Sequence, residues 1–493
     1  MANEGLRGRE RWTVLAVIVA GFAYRMSFLL LPLSRDDDTV VYAELARNWF
    51  QHGAYGFSRG GAIDPTLVRL PGYPLFLGLI FSIFGSERLG AALVMQALAD
   101  VAGCWLLWDI ARREVSRRAG WAVLLLAVFC PFTAVYAVTG LTESLSIFCV
   151  ALAMWALVRV IRAVRSGRSV AGSMIALAAA MGCAMLLRPD GVLLTVAFCA
   201  GLLWYARGPL GVARALRLAV LAGTVAGVPL IPWTIRNYRT FHVFQPLAPR
   251  YVNNPGEFVP AGFFRWMRTW SVNFVDAGTV FWNLNDQIDP EDVPARACST
   301  TAECRLTHEL IAEHNLNQGV PPELDAKFAA LAAERIRARP LDYYIVLPVW
   351  RVADMWLWPR TERFPVNIWW WVVGDHPAQS MIAIGAGLVN LAYVGFAAAG
   401  FALRRVPFQA PLLLYIVLRC ILLTTMENPE QRYTMVMFPM VFLAAGCALA
   451  GDRRGSEGRE GAPGDDRGAV DAGDGRCGTG SGRLNSKHAF YGH

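Results

Sequence analysis

Long apolar runs recur along this chain and are separated by short polar segments. Each run approaches the roughly twenty residues that an α-helix needs to cross a hydrocarbon core of about 30 Å. Lipid offers backbone groups no hydrogen-bond partners, so a spanning segment of this kind must be helical. The pattern therefore predicts an all-α polytopic membrane protein with about 10–12 spans. The ten clearest runs lie near 12–33, 88–110, 119–138, 143–163, 170–187, 191–207, 213–232, 378–403, 407–424 and 432–450.

The shorter run "LPGYPLFLGLIFSIFG", at 70–85, is ambiguous. Its apolar part has only about thirteen residues, which is short for a span and typical of a re-entrant or interfacial helix. A span at this position would also invert the sidedness of every later loop. We therefore expect this helix to lie on the outer membrane surface.

Arginines in the short loops predict how the chain is oriented. "ARREVSRRAG" and "RVIRAVRSGRS" each hold four arginines, whereas the alternate loop "VTGLTES" holds none. Because arginine-rich loops stay in the cytoplasm, both termini are predicted to be cytoplasmic. The first run lacks a small-residue cleavage site, so we interpret it as a span and not as a signal peptide. The predicted outer segments are 34–87, 139–143, 188–190, 233–377 and 425–431.

This topology divides the chain into four regions of a multi-pass protein of the inner or plasma membrane. Residues 1–232 form an N-terminal transmembrane module, which includes an acidic first outer loop at 34–87. Residues 233–377 form a long extracytoplasmic loop region, and 378–450 form the C-terminal transmembrane helices. The tail 451–493 is rich in Gly, Arg and Asp, so it is predicted to be disordered and cytoplasmic.

Composition agrees with a membrane protein and argues against a nucleic-acid partner. The chain is 55% hydrophobic and 17% charged, whereas about a quarter of the residues of a soluble domain are usually charged. The net charge is +8, but the basic residues are scattered between apolar runs, so topology explains them. No Walker loop, dinucleotide-binding glycine motif, nucleophile elbow or metalloprotease helix is present.

Two cysteines lie together in the long outer loop, in "ACSTTAEC". An outer compartment permits disulfides, so we expect a bridge between Cys298 and Cys304. The alternative is a pair of free thiols in a loop. Zinc is not indicated, because only two thiols are present and His308 and His314 lack a finger spacing.

Charged residues collect on the predicted outer side. A charge near a membrane is costly and needs a reason. A membrane enzyme with an outward-facing site provides such a reason, whereas a structural scaffold does not. The residues are Asp36, Asp37, Asp38, Glu44, Arg69, Glu143, Arg188, Asp190, Arg236, Arg239, Glu427, Glu430 and Arg432.

Several of these charges have both a functional and a structural interpretation. The acids of "SRDDD" open an amphipathic helix, so they either cap it or supply a catalytic carboxylate. Arg69 is either a phosphate clamp or an interfacial arginine that reaches to water. Glu143 is either a second catalytic acid or part of a helix start with Thr142 as cap. Asp109 is expected to pair with Arg112 or Arg113, and Asp100 has no assigned role.

The order of these motifs resembles the GT-C fold glycosyltransferases of the protein O-mannosyltransferase type. That group includes the bacterial lipid A aminoarabinose transferase and many bacterial "family 39" members. "DDDTVVYAELARNWFQHGAY" is similar to its acidic first-loop motif, in which an Asp stands four residues before a Tyr. "RLPGYPLF" and "VYAVTGLTESL" resemble the motifs that follow. "LLRPDG", "PWTIRNYRTF" and "EQRYTMVMFP" are also typical of bacterial members, and the similarity covers about 10–450 in order.

The resemblance implies a GT-C type helix bundle with outer-face interfacial helices. It implies inverting transfer of a sugar from a polyprenyl-phosphate donor to a protein, lipid or glycan acceptor. Asp38 would be the general base, with Asp37 and Glu143 as further catalytic acids. Arginines would neutralise the leaving phosphate, so no cofactor is required, and a divalent metal is possible but not indicated. The implied substrate-binding residues are Tyr42, Arg69, Tyr73, Arg188, Arg236, Glu427, Arg432 and Tyr433.

The chain departs from the family pattern at two places. Thr39 follows Asp38 where many relatives have Glu, so the acidic run lies upstream of Asp38 instead. The stretch "PLAPRYVNNPGEF" lacks the glycine-rich sequence expected after "RNYRTFHVF".

Three other classes of function remain open at this point. A transporter or flippase of lipid-linked sugars would show broken spans with mid-membrane polar residues and an internal repeat. A polymerase or ligase of lipid-linked saccharides would centre on arginines and a loop histidine, such as His308 or His314. A non-catalytic assembly protein would not need clustered outer charges.

Overall fold

The computed structural model describes residues 8–31, 37–85, 88–403 and 405–451, without the side chain of Asp37. Asp36 and the predicted tail beyond Gly451 lie outside the described residues. Of the elements described, all but one short hairpin are helical. The hairpin pairs β1 (Gly56–Arg59) with β2 (Ala62–Pro65) in antiparallel register.

The α-helices follow one another with short connections, apart from the region between α11 and α17. In chain order they are α1 Gly8–Ser27, α2 Asp37–His52, α3 Gly72–Phe84, α4 Leu89–Glu114, α5 Arg117–Val128, α6 Pro131–Ala137, α7 Glu143–Arg165, α8 Ala171–Leu187, α9 Gly191–Leu210, α10 Val212–Gly227, α11 Leu230–Phe241, α12 Ala261–Met267, α13 Phe274–Asp276, α14 Thr301–Asn317, α15 Pro322–Ala338, α16 Leu347–Leu357, α17 Pro377–Ala402, α18 Gln409–Leu423, α19 Arg432–Met435 and α20 Phe438–Leu449. Short 3-10 turns cover Phe28–Leu30, Pro290–Asp292 and Ala295–Ala297, and π-helical turns cover Ala277–Phe281 and Asp342–Val346.

The prediction of an all-α, multi-span membrane protein is confirmed. Within the described residues, five helical segments are long and apolar enough to cross a membrane: α1 with its 3-10 extension, α4, α7, α9 and α17. Two bent pairs, α5–α6 and α10–α11, raise that number to seven. The remaining predicted spans are α8, α18 and α20, which have only 17, 15 and 12 residues. By length and composition, five to seven segments of the described residues are therefore candidate spans, and the total of ten to twelve stays a prediction that includes these three shorter helices.

The predicted outer loop 233–377 is a folded helical region, which we call the outer helical region after that prediction. Its helices α12, α14 and α15 bury a hydrophobic core of their own, separate from the core of the transmembrane bundle. The rings of Phe263 and Phe328 meet edge to face in this core, with their centroids 5.1 Å apart. Helix α11 also runs through the predicted boundary at 232–233. The connection between the two sets of spans is thus mostly regular structure.

The amphipathic helix predicted from Asp38 onward is α2, whose Leu45 and Ala46 are fully buried. Helix α3 follows the hairpin and packs against α2, and its first residue lies against the end of α8. A Cβ on Gly72 would lie 2.6 Å from the Leu186 carbonyl oxygen, so only glycine permits this close approach. The interfacial position of α3 remains a prediction, but its packing fixes the chain on either side of Arg69.

A helix break that the sequence analysis did not predict divides the span 119–138 into α5 and α6, which meet at 54°. A break leaves carbonyl groups without their intrahelical donors. Arg25 of α1 supplies the missing donors, because its Nη1 donates to the Val128 oxygen at 2.7 Å and its Nη2 donates to the Ala127 oxygen at 3.3 Å.

Asp100 of α4 neutralises Arg25, with the Arg25 Nη2 and the Asp100 Oδ2 2.5 Å apart, and the two side chains are 0% and 2% exposed. Asp100, which had no assigned role, thus holds the cation that caps the break. The prediction for Asp109 is confirmed, since its Oδ1 lies 2.5 Å from Nε of Arg113.

The Arg25–Asp100 pair makes a prediction about stability. Arg25→Met leaves a buried carboxylate unpaired and two carbonyls uncapped, so the free energy of unfolding should fall by about 3–5 kcal/mol. The double variant Arg25→Met/Asp100→Leu removes the unpaired charge and should recover part of that loss. The matched control is Arg117→Met, which removes a largely exposed arginine from Glu10 and should cost about 0–1 kcal/mol. Unfolding in detergent measures all three, and equal effects of Arg25→Met and Arg117→Met would contradict the capping role.

Candidate active site

Three distant segments meet at Asp38, in the first turn of α2. Nη2 of Arg69 lies 2.6 Å from one carboxylate oxygen of Asp38, and Nη1 of Arg432 lies 3.3 Å from the other. Arg69 comes from the segment between the hairpin and α3, and Arg432 begins α19, 394 residues after Asp38. The structure therefore brings together the candidate base and two of the arginines that the sequence analysis expects to bind substrate.

The electrostatics of Asp38 keep it ionised. Burial alone would raise the pKa of this carboxyl group, but the Arg69 and Arg432 guanidinium groups outweigh burial and hold it below its usual value. Tyr42, one turn further along α2, lies under the Arg69 guanidinium at 5.9 Å. Burial raises the pKa of Tyr42 to about 12, so its hydroxyl stays protonated and can donate a hydrogen bond.

A second ion cluster lies beside the first. Glu143 begins α7, is 3% exposed, and accepts a hydrogen bond from Nη1 of Arg188 at 2.9 Å. Arg188 also lies 3.4 Å from Asp190 and 5.9 Å from the centre of the Tyr433 ring. Thr142 precedes the helix but makes no capping hydrogen bond through its side chain. Glu143 thus pairs with Arg188, and no hydrogen bond or ion pair between Glu143 and Asp38 is observed within the described residues.

Glu430 completes the site and was not among the predicted site residues. Its carboxylate is 3% exposed and lies 2.6 Å from Nε of Arg432. It also accepts hydrogen bonds from the Tyr433 hydroxyl at 2.9 Å and from Asn428 at 2.8 Å. Glu430 therefore fixes the direction of the arginine that reaches Asp38. The signal in the sequence was its position two residues before Arg432.

The structure also shows an ion pair that the sequence analysis missed, between Asp190 and Arg419 of α18. Arg419 is 1% exposed, and besides its bond to Asp190 it donates a hydrogen bond to the backbone oxygen of Tyr433 at 2.5 Å. It stands alone in the apolar run "LLLYIVLRCILL", and an isolated arginine in such a run indicates a buried acidic partner. The pair ties the turn carrying Arg188 to the residues around Arg432.

Among the side chains that the structure describes, the two clusters together are electrically balanced. Four guanidinium groups face four carboxylates across the ends of α2, α7, α8, α18 and α19. Because each buried charge has a partner, the desolvation cost of bringing them together is offset by mutual attraction. The residues are Arg69, Arg188, Arg419 and Arg432, and Asp38, Glu143, Asp190 and Glu430.

Arg236, predicted to bind substrate, lies outside this network. Its Nη1 donates to the Thr66 oxygen at 2.6 Å and its Nη2 donates to the Tyr55 oxygen at 2.7 Å. These carbonyls flank the hairpin, and the guanidinium also lies 5.3 Å from the Trp233 ring. Arg236 therefore holds the segment leading to Arg69, and its expected substrate contact stays a prediction.

Tyr73, also predicted to bind substrate, makes supporting contacts beside the site. It is fully buried, and its hydroxyl donates to Oε1 of Gln96 at 2.7 Å. Nε2 of Gln96 donates to the Thr139 oxygen at 2.7 Å, in the turn that precedes Glu143. The Tyr73 ring packs edge to face with Tyr42, with their centroids 5.1 Å apart. Tyr73 thus links the positions of Tyr42 and of the turn before α7.

Glu427, the last predicted site residue to be placed, pairs with Arg250 and Arg268 of the outer helical region. No contact between Glu427 and the Asp38 cluster is observed in the described residues. Glu430, three residues later in the same turn, is the acid that lies beside Arg432. Tyr433 lies between Arg188 and Arg432, and the substrate-binding roles of Glu427 and Tyr433 stay predictions.

The cysteine and metal expectations have separate outcomes. Cys298 and Cys304 are free thiols in the structure, joined by a hydrogen bond and not by a disulfide. Burial and the adjacent Cys304 raise the pKa of Cys298 to about 12. Their contact keeps the bridge a prediction for an oxidising compartment. No group of three or more His, Cys, Asp or Glu placed to hold a metal ion is found in the described part of the chain.

Part of the chain matches a known protein family. Residues 66–235 match the family model described as dolichyl-phosphate-mannose-protein mannosyltransferase. The predicted resemblance to that family is confirmed over this stretch. It contains Arg69, Glu143 and Arg188, while Asp38 precedes it and Arg432 follows it. The comparison with curated proteins finds no match.

Two kinds of solved structure are similar to the chain. ArnT from Cupriavidus metallidurans in the apo state is 17% identical over 90% of this chain and 78% of that chain, with a TM-score of 0.40. The same protein bound to undecaprenyl phosphate is 17% identical over 89% of this chain and 77% of that chain, with a TM-score of 0.39. The Archaeoglobus fulgidus oligosaccharyltransferase tethered with an acceptor peptide is 11% identical over 89% of this chain, with a TM-score of 0.49. The chain covers 49% of that archaeal protein, about half its length.

The balanced network predicts how stability depends on pH. The folded-state pKa of both Asp38 and Asp190 lies below its usual value, although burial opposes this, because arginines face each carboxylate. Their ionised forms therefore stabilise the fold above about pH 4, and that contribution is lost as pH falls through the folded pKa values.

The thermal midpoint between pH 7 and pH 3 tests this dependence. Below about pH 4 it should fall more steeply for the wild type than for Asp190→Asn, which lacks one of the two titrating groups. Asp64→Asn, at an exposed position of the hairpin, should follow the wild type. Parallel curves for the wild type and Asp190→Asn would contradict the prediction.

Proposed function

We propose that this protein is a glycosyltransferase that moves a sugar from a polyprenyl-phosphate donor to an acceptor on the extracytoplasmic face. The observation that carries the proposal is the Asp38 carboxylate held between Arg69 and Arg432. The family match over 66–235 supports the reaction class, since the family is described by a dolichyl-phosphate-linked sugar. In this proposal both termini are cytoplasmic, as the loop arginines predict.

Arg69 and Arg432 are suited to the phosphate of the donor. A guanidinium group presents two parallel N–H donors that match a phosphate, and it stays charged at every physiological pH. The two arginines approach Asp38 from different segments, so an anion placed between them would contact both. They would stabilise the negative charge that develops on the leaving phosphate, which is the role that a metal ion has in other transferases.

Donor binding would also activate Asp38. With no donor, both guanidinium groups hold the pKa of Asp38 below its usual value and make it a weak base. A bound phosphate would share those groups, so burial would then raise the pKa of Asp38 towards the range useful for proton transfer. The same two arginines would therefore bind the donor and control the base.

The proposed chemical step is a single displacement. An acceptor hydroxyl or amine loses its proton to Asp38 as its oxygen or nitrogen bonds to the anomeric carbon. The bond from that carbon to the phosphate oxygen breaks, and polyprenyl phosphate leaves with the electron pair. Attack opposite the leaving group inverts the anomeric configuration. Glu143 would act by orienting Arg188, and Asp37 would be an alternative base if Asp38 were dispensable.

The proposal gives the transferred sugar and the acceptor by chemical class. The transferred group is a hexose or pentose, and the acceptor is a protein, lipid or glycan. The donor lies in the bilayer through its polyprenyl chain, so its phosphate stays at the membrane surface. In this proposal α2 lies in the interface, as its apolar face indicates. Asp38 and Arg432 would then lie at the same membrane surface as the phosphate.

The Asp38 assignment predicts the effect of a conservative substitution on transfer. At equal expression, Asp38→Asn should reduce transfer by at least about a hundredfold, because general bases contribute typically 10²–10⁴ in rate. Membranes carrying each variant would be supplied with a mixed pool of radiolabelled polyprenyl-phosphate sugars. Asp64→Asn, exposed on β2, is the control and should keep wild-type activity.

The outcomes separate the possible bases. Full activity of Asp38→Asn would exclude Asp38 as the base and direct attention to Asp37 and Glu143. Loss in both Asp38→Asn and Asp64→Asn would indicate a folding defect of the α2 and hairpin region. No transfer by the wild type from any sugar in the pool would count against the proposed donor class.

The clamp assignment makes a second prediction. Arg69→Lys keeps a positive charge but loses the planar fork, so the KM for the donor should rise by about tenfold with a smaller change in kcat. Arg69→Ala should lower kcat/KM further, since no cation remains at this position. Arg59→Lys, on the exposed strand β1, is the control. Unchanged donor KM in Arg69→Lys would contradict a direct phosphate contact.

A further inference from the structure

A second group of arginines lies in the outer helical region and meets Glu427, which stands three residues before Glu430 of the candidate active site. Arg250 and Arg268 converge on one oxygen of Glu427, at 2.8 Å and 3.4 Å respectively. Arg351 of α16 is the third member, since its Nη2 donates to the backbone oxygen of Arg268 at 3.2 Å. Glu427 is 5% exposed, so the carboxylate that gathers these cations is part of the folded interior.

These arginines hold the turn that leads into the active site. Nη2 of Arg250 donates to the Thr425 oxygen at 2.6 Å, and Nη1 of Arg351 donates to the Met426 oxygen at 2.7 Å. The next carbonyl, of Glu427, accepts a hydrogen bond from Ser271 at 3.3 Å. Three consecutive carbonyls are therefore fixed from the outer region, and the cluster is a built feature with a defined position.

The charge of this cluster is not balanced. Counting the described side chains, three guanidinium groups lie around one carboxylate, which leaves an excess of two positive charges. The active-site network, in contrast, matches four arginines with four acids. Burial and the adjacent Arg268 lower the pKa of Arg351 to about 10, which shows how strongly this cation is desolvated and repelled. An uncompensated charge excess in a partly buried site favours the binding of an anion.

Hydrogen-bond donors remain available for such an anion. Arg268 is 22% exposed, and its guanidinium donates no hydrogen bond to any described residue; its Nε is buried without a hydrogen-bond partner. Arg250 is 44% exposed and uses only Nη2, so its Nε and Nη1 have no partner within the described chain. Two accessible guanidinium groups thus share one carboxylate and keep most of their donors.

We propose that Arg250 and Arg268, supported by the charge of Arg351, form a second anion-binding site that takes a phosphate group. This site is distinct from the Asp38 cluster, since the two are built from different arginines and different acids. The phosphate could be carried by the headgroup of an anionic lipid or by a water-soluble molecule, and the chemistry of recognition is the same for both. The inference does not depend on the proposed transfer reaction.

Binding can be measured with the full-length protein in nanodiscs, in an Arg69→Ala background that weakens the proposed donor site. One arm titrates inorganic pyrophosphate into phosphatidylcholine nanodiscs, and the other replaces part of the phosphatidylcholine with phosphatidylglycerol. A ligand that binds only the folded state raises the thermal midpoint. We expect stabilisation in at least one arm, and that arm identifies the source of the phosphate.

Variants then locate the site. Adding Arg268→Ala or Arg250→Ala should weaken the affinity by at least about tenfold, because each removes a charge-assisted contact. Adding Arg265→Ala should leave it unchanged, since Arg265 is exposed on α12 and outside the cluster. If Arg268→Ala fails to fold, Arg268→Lys should retain binding within a few-fold, while Arg268→Gln should lose it.

Two results would overturn the inference. One is the absence of stabilisation in both arms. The other is binding that Arg268→Gln and Arg250→Ala leave intact. Either result would leave the proposed transferase untouched, because Asp38, Arg69 and Arg432 are tested by transfer activity. Loss of transfer in Asp38→Asn with intact pyrophosphate or phosphatidylglycerol binding would show that the two sites are independent.

Discussion

A charge beside a hydrocarbon core is unstable without an opposite charge, and this constraint governs both the helix break and the candidate active site. Where a helix break exposes carbonyls inside the bundle, Arg25 caps them and Asp100 neutralises Arg25. At the end of the bundle that carries Asp38, the same rule joins helix ends that are distant in sequence. In both places the fold brings acids and arginines together in pairs.

The turn before α19 connects the parts of this arrangement. Glu430 and Arg432 belong to the active site, while Glu427, three residues earlier, belongs to the arginine cluster of the outer helical region. Buried Arg360 adds a further constraint, since its guanidinium donates to the backbone oxygen of Gln431 and to the Thr434 hydroxyl. Arg432 is thus directed at Asp38 by contacts from both sides of the turn.

The sequence predicted the features that depend on composition and order. Apolar runs predicted the helices, and the order of the motifs predicted that Asp38, Arg69 and Arg432 would meet. It did not predict where each side chain points. Arg236 stands beside an aromatic belt, as a ligand-binding arginine would, yet it donates to backbone carbonyls.

Other differences have equally local causes. Glu427 and Glu430 lie in one turn, and only the backbone path decides which of them faces Arg432. The break between α5 and α6 falls just before Pro131, whose restriction of the preceding residue is a local signal that a long apolar run obscures. The folded core of the outer region involves Phe263 and Phe328, which are too far apart in sequence for periodicity to connect them.

The separation of 394 residues between Asp38 and Arg432 has a consequence for biosynthesis. The carboxylate emerges early in translation, whereas one of its two cations belongs to the final helices of the bundle. Until α19 is made, Asp38 therefore lacks Arg432, and until α18 is made, the Asp190 carboxylate lacks Arg419. Membrane insertion proceeds from the N-terminus, so the late helices complete the candidate site. A ribosome-bound chain that ends before α18 contains neither of these two arginines, so its candidate site is incomplete.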